Sequence, residues 1–257
     1  MSAQIKRHPL ESWEMLREYL DDRLPSLSRD TRDRFLRAKA LRKDHPGTYI
    51  LGHNRRTFFE RIHCLRGMER VFVDLYENRR QIMTLLEALA SFNTELIRGW
   101  SEAGVDGVFL SDDWGSQNSL LISPEMWREL FKPWYAALAR TAHEAGLQFW
   151  LHSCGNVSAI IGDLIECGVD VLHPIQPEAM DLTRLSKSFR GRLTFCGGIS
   201  TQATLPFGSP AAIREEAHTL ISLFNTDRGG YIGCPSNTIM PETPIENIVA
   251  LCRSFRL

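Results

Sequence analysis

From Thr48 onward, short apolar runs alternate with segments whose apolar residues recur at helical spacing, a pattern that restricts the chain to βα units wound about a parallel sheet. Six runs read as strands: Thr48–Gly52, Gly107–Asp112, Gln148–His152, Asp170–His173, Leu193–Cys196 and Gly230–Gly233. Between them, Arg79 to Gly99 carries Ile82, Leu85, Leu86, Leu89 and Phe92 along one stripe, the mark of a helix with one buried face. Ser123-Pro124 opens another helix, with a hydroxyl for the cap and a proline at the first position. The reading divides the chain into a polar helical lead-in, residues 1–46, and an α/β domain, residues 47–257.

Parallel sheets and barrels place their active sites beyond the carboxyl ends of the strands. Four consecutive strands here end in ligand-type residues: His152-Ser-Cys154-Gly, Leu172-His173-Pro, Phe195-Cys196-Gly-Gly and Gly233-Cys234-Pro. An isolated His-x-Cys is usually a core histidine beside a buried thiol. Recurrence on four neighbouring strand ends points instead to a shared site. Side chains two apart on a strand share a face, so His152 and Cys154 converge, a geometry suited to a soft ion such as zinc. Cys234 is the expected third ligand, with Cys196 and His173 behind it. Asp112 and Asp113 close the second strand as candidate acid or base groups. Neighbouring residues leave a strand on opposite sides, so one of the two faces the site. Gln117, Gln176 and Glu178 are polar candidates for orienting a substrate, whereas Trp127, Trp134 and Trp150 read as core packing.

In a chain of 257 residues, 30 basic side chains nearly cancel 31 acidic ones, so no net field draws in nucleic acid or an anionic membrane. The basic cluster from Arg29 to Lys43 is interrupted by Asp30 and Asp33 and reads as a solvated helix face. No apolar segment approaches the roughly 20 residues of a membrane span, and Met1–Lys6 lacks the apolar core of a leader. These features lead to the expectation of a cytoplasmic protein acting on a small molecule, and the six scattered cysteines to free thiols.

Taken together, several blocks resemble the uroporphyrinogen decarboxylase superfamily, an (α/β)8-barrel group that includes zinc-dependent methyltransferases of corrinoid systems. The carriers are Phe59-Glu-Arg with Leu65-Arg-Gly-Met-Glu69 and Asp74-Leu75, then Asp112-Asp-Trp-Gly-Ser-Gln117, Ile122-Ser-Pro-Glu-Met-Trp127 and His152-Ser-Cys-Gly155. Gln176-Pro-Glu-Ala-Met-Asp181, Cys196-Gly-Gly-Ile-Ser-Thr-Gln202 and Pro241-Glu-Thr-Pro-Ile-Glu-Asn247 complete the order. The His-x-Cys-Gly block is similar to the methyltransferase branch. The resemblance implies a (β/α)8 barrel, zinc on His152 and Cys154, and methyl transfer between a thiol or methyl donor and a corrinoid carried by a partner protein.

Two departures qualify that implication. The position that carries the last cysteine in the family is Asn237 here, with Cys234 three residues earlier. The amino terminus is short, and six strands are recognisable where a closed barrel has eight. Two alternatives follow. One is decarboxylation of a tetrapyrrole, with Asp112 or Asp113 stabilising a protonated pyrrole. The other is a non-catalytic relative whose open sheet edges are covered in a homo-oligomer or by a partner.

Overall fold

The computed structural model describes residues 7–24 and 29–255. Met1–Lys6 and residues 25–28 of the lead-in therefore lie outside the described residues. Six parallel strands pair in chain order. They are β1 (Leu51–Asn54), β2 (Gly107–Ser111), β3 (Gln148–His152), β4 (Val171–Ile175), β5 (Thr194–Ile199) and β6 (Tyr231–Pro235). The chain forms two compact units, and the cut passes through β3: residues 1–112 and 126–149 form the first, residues 113–125 and 150–257 the second.

In the first unit, β1 begins three residues later than the apolar run suggests. Thr48 is still in a turn, its amide bonded to His45 O, and Arg42 donates to the carbonyls of Pro46, Thr48 and Gly104. Arg42 belongs to the basic lead-in helix Arg29–Asp44, and it also pairs with Asp106, so this cation serves as a clamp and not only as a solvated charge. Phe35 of the same helix meets Trp100 edge-on at 4.7 Å, and Trp100 in turn donates to the buried Asn54 side chain at 2.8 Å. Helix Arg79–Glu102 buries Ile82, Leu85, Leu86 and Leu89 of the expected stripe, while Phe92 stays half-buried.

Asp112 ends β2 and turns its carboxylate onto the start of helix Phe59–Arg66. Oδ2 accepts from the amides of Phe58 and Phe59 at 3.1 and 3.0 Å, Oδ1 accepts from Glu60 at 2.7 Å, and Tyr135 donates its hydroxyl to Oδ2. The first amides of a helix have no internal acceptor, so one carboxylate satisfies three of them at once. Asp112 is fully buried, which pushes its carboxyl up from 3.8 to about 7 although these hydrogen bonds pull the other way.

In the second unit, β3 to β6 run side by side, with Trp150 opposite Val171, Leu172 opposite Phe195 and Gly198 opposite Cys234. Strand β4 continues through His173-Pro174 to Ile175, past the point where the sequence pattern stops. Its register shifts between Leu172 and Ile175. Helices Pro210–Phe224 and Ile245–Ser254 cover this unit with Ile213, Ala217, Leu220 and Leu251.

Asp112→Ala is expected to destabilise the fold by about 2–4 kcal/mol, since three helix-start amides lose their acceptor. Because the folded carboxyl titrates above its unfolded value, the folded state holds a proton between about pH 4 and pH 7 that the unfolded state has released. Stability from this group is therefore greatest at the acid end, declines as pH rises through that window, and is level above it. Urea unfolding should show a larger gap between wild type and Asp112→Ala at pH 5 than at pH 8.

Candidate metal centre

The second unit brings together Asp113–Ser116, which follows β2, and Ser153–Asn156, which follows β3. Trp114 N donates to Ser153 Oγ at 2.9 Å, Gly115 N to Cys154 O at 3.0 Å, and Asn156 N to Ser116 O at 2.8 Å. The two backbones cross at Gly115 and Gly155. A Cβ on either glycine would overlap the backbone of the other, and Gly155 also holds a φ of +79°. This crossing fixes Cys154 and delivers Asp113 to it: Asp113 Oδ1 accepts the Cys154 amide at 2.8 Å.

Three donors meet there. Cys154 Sγ lies 3.4 Å from His152 Nε2, and Asp113 Oδ1 lies 3.4 Å from the same nitrogen. A tetrahedral zinc with Zn–N and Zn–O near 2.1 Å and Zn–S near 2.3 Å separates N from S by roughly 3.5 Å and N from O by roughly 3.4 Å. The donor chemistry and these spacings both fit zinc. Burial on its own would lower His152, but hydrogen bonds with Asp113 and Cys154 and the charge of both raise it to about 9. Burial would likewise raise Asp113, yet the bonds from His152 and the Cys154 amide hold it below the usual carboxylate range. Asp113 and Cys154 thus favour positive charge at Nε2, the place a cation would take.

A second group of three donors, His173, Cys196 and Cys234, has its ligand atoms within 4.8 Å of one another. Cys196 and Cys234 place their sulfurs 3.6 Å apart. The contact with Cys196 and the neighbouring His173 lower the Cys234 thiol, while Cys234 and burial push Cys196 up. The two groups touch, since His152 Nδ1 and His173 Nδ1 are 2.8 Å apart, a contact that accommodates one proton between them.

The residues singled out in the sequence take the following places. His152, Cys154 and Asp113 converge, whereas Asp112 turns onto its helix cap in the first unit. Cys234 stands with Cys196 and His173. Gln176 is buried and its Oε1 accepts from Gly155 N at 2.5 Å, so its side chain holds the Cys154 loop. Gln117 donates to Glu178 O at 2.5 Å, and the exposed Asn237 points Nδ2 at Cys154 Sγ from 3.8 Å. Trp127 and Trp150 are buried while Trp134 is only half-buried, and all six cysteines are free thiols. Ser153 and Gly115 were not among the sequence candidates, and Gly155 was read only as part of a turn, although Gly after Trp114 and Gly after Cys154 carried the signal.

A family model for uroporphyrinogen decarboxylase (URO-D) matches residues 62–256. The chain belongs to this family. Two curated relatives, both methylcobamide:CoM methyltransferases MtaA, come from Methanosarcina barkeri and from M. barkeri strain Fusaro / DSM 804. They are 29% and 28% identical over 178 residues, which is 69% of this chain and 48% of theirs. The chain thus spans about half the length of the curated relatives it matches.

Among solved structures, a methyltransferase from Methanosarcina mazei superposes with a TM-score of 0.78 at 21% identity, over 98% of this chain and 71% of its own. A B12-independent methionine synthase from Shewanella sp. W3-18-1, in complex with selenomethionine, gives 0.56 at 14% identity, over 86% and 64%. At these identities the likeness establishes the fold, which is the TIM-barrel-type α/β fold of URO-D and methyltransferase structures.

Gly155→Ala should cost about 1–3 kcal/mol through strain and the clash with Gly115. Gly146→Ala also has positive φ, at +74°, but meets nothing within 4 Å, so it serves as the control. Thermal unfolding should separate the two, and alkylation of Cys154 should accelerate only in Gly155→Ala.

Proposed function

We propose that this chain is a methyltransferase-type member of its family, which holds zinc at His152, Cys154 and Asp113 and transfers a methyl group between a small thiol and a corrinoid carried on a partner protein. The observation that carries the reading is the Asp113–His152–Cys154 triad, with N–S and N–O spacings of 3.4 Å. The URO-D family match and the two methyltransferase relatives support it. Cys234, the third ligand expected from the sequence, is assigned here to the neighbouring group, and Asp113 takes the third donor position.

Zinc bound to this triad would supply Lewis-acid charge that favours loss of a substrate thiol proton near neutral pH. The remaining work falls to protein groups. His152 and Cys154 hold the ion. Asp113 accepts the Cys154 amide and so sets the sulfur relative to His152. Gln176 restrains the next amide, that of Gly155. His173, through its Nδ1 contact, fixes the ring orientation of His152. Asn237 approaches Cys154 Sγ from the exposed side, and together with Gln117 it would orient the thiol substrate. A methylcorrinoid bound by the partner would supply the methyl group, its Co–C bond breaking with the electron pair left on the corrinoid as the S–C bond forms, while Asn237 and Gln117 would orient the thiol and its proton would pass to solvent.

His152→Ala and Cys154→Ser are expected to lose zinc from this triad and methyl transfer together, and Asp113→Ala to weaken zinc by at least about tenfold. Thioether formation from methylcobalamin and a small thiol, alongside metal analysis, checks this. Full transfer by either ligand variant would refute the proposal. Uroporphyrinogen offered as substrate should yield no coproporphyrinogen.

A further inference from the structure

We propose that His173, Cys196 and Cys234 form a second binding site for a thiophilic divalent ion of the zinc class, separate from the Asp113–His152–Cys154 triad. Each donor comes from a different strand of the second unit, β4, β5 and β6, and these strands are consecutive neighbours. Their register brings Cys234 opposite Gly198, two residues on from Cys196, and the sulfurs end 3.6 Å apart. Two thiolates on a tetrahedral zinc are separated by roughly 3.8 Å, so little movement is needed to seat an ion. The His173 imidazole completes three donors within 4.8 Å. Cys196 is buried and the other two are half-buried.

Two thiolates and one imidazole select zinc-like ions over magnesium or calcium, whose preference is for oxygen. Binding displaces the thiol protons to solvent and changes no oxidation state. The 2.8 Å contact between the two Nδ1 atoms imposes a coupling. Two neutral imidazoles, each ligating through Nε2, would bring two Nδ1 protons into a space that holds one. Filling the triad therefore weakens the second site, and the clearest measurement is made with the triad empty.

The test uses the full chain, kept reduced, stripped by chelator and titrated with zinc alone. The double variant His152→Ala/Cys154→Ser should still bind one zinc per chain, and adding Cys196→Ser should abolish it. A folded double variant that binds no zinc overturns the proposal. Should that variant fail to fold, cobalt titration of wild type against Cys196→Ser, which leaves the triad intact, decides instead. Wild type should take up a second cobalt, more weakly than the first, with added thiolate-to-metal absorption that the variant lacks. Identical titration curves would overturn the proposal, as would recovery of Cys196 and Cys234 as a disulfide from reduced, zinc-supplied protein. Failure of the methyl-transfer reading is distinguishable: Cys196→Ser/Cys234→Ser would then bind no zinc while the His152→Ala/Cys154→Ser variant still binds one.

Discussion

The crossing of Asp113–Ser116 with Ser153–Asn156 is the constraint on which the candidate site depends. It is made of backbone, with Gly115 N on Cys154 O and Asn156 N on Ser116 O, and it requires two glycines because neither position has room for a Cβ. A carboxylate that follows one strand thereby meets a thiol and an imidazole delivered by another, and the Asp113 side chain accepts the Cys154 amide as part of the same pairing. Backbone pairing of this kind holds the donors near the spacings of a tetrahedral ligand set.

Adjacent acidic residues divide the labour. Asp112 is consumed by three helix-start amides and Tyr135, and burial raises its carboxyl to about 7. Asp113 is held low by His152 and the Cys154 amide, against the effect of its own burial. The pair illustrates how neighbouring positions leaving a strand take different partners, Asp112 the helix start and Asp113 the His152–Cys154 pair. A similar distinction applies to the block Leu65-Arg-Gly-Met-Glu69 with Asp74. Arg66 is buried, pairs with Asp74 at 2.8 Å and stacks 4.1 Å over Trp13, so in this chain the block secures the amino-terminal part of the first unit.

Much of the architecture was legible because its signals are local. Helical stripes, the Ser-Pro helix start and apolar runs located all six strands, with β3 matching end to end. The errors fell where tertiary contacts override the pattern. Thr48–Ile50 are apolar enough for a strand, but Arg42 and Asp106 hold them in a turn and lead-in. Strand β4 runs on through a proline that the pattern treats as a stop. The convergence of His152 and Cys154, 3.4 Å apart, was legible from period-two alternation, whereas their candidacy as ligands rested on the recurrence of His and Cys at four strand ends. The company kept by Cys234 was not legible, since it depends on the register of β5 against β6 and on the shift in β4.

His152, Cys154 and Asp113 together offer one mixed nitrogen, sulfur and oxygen donor set. X-ray absorption at the zinc edge tests it most directly, on Cys196→Ser/Cys234→Ser protein loaded with one equivalent of zinc so that only the triad is present. One sulfur at about 2.3 Å with nitrogen and oxygen neighbours at about 2.0–2.2 Å is the expected result. Zinc surrounded by oxygen and nitrogen alone, or protein that retains no zinc, would contradict it.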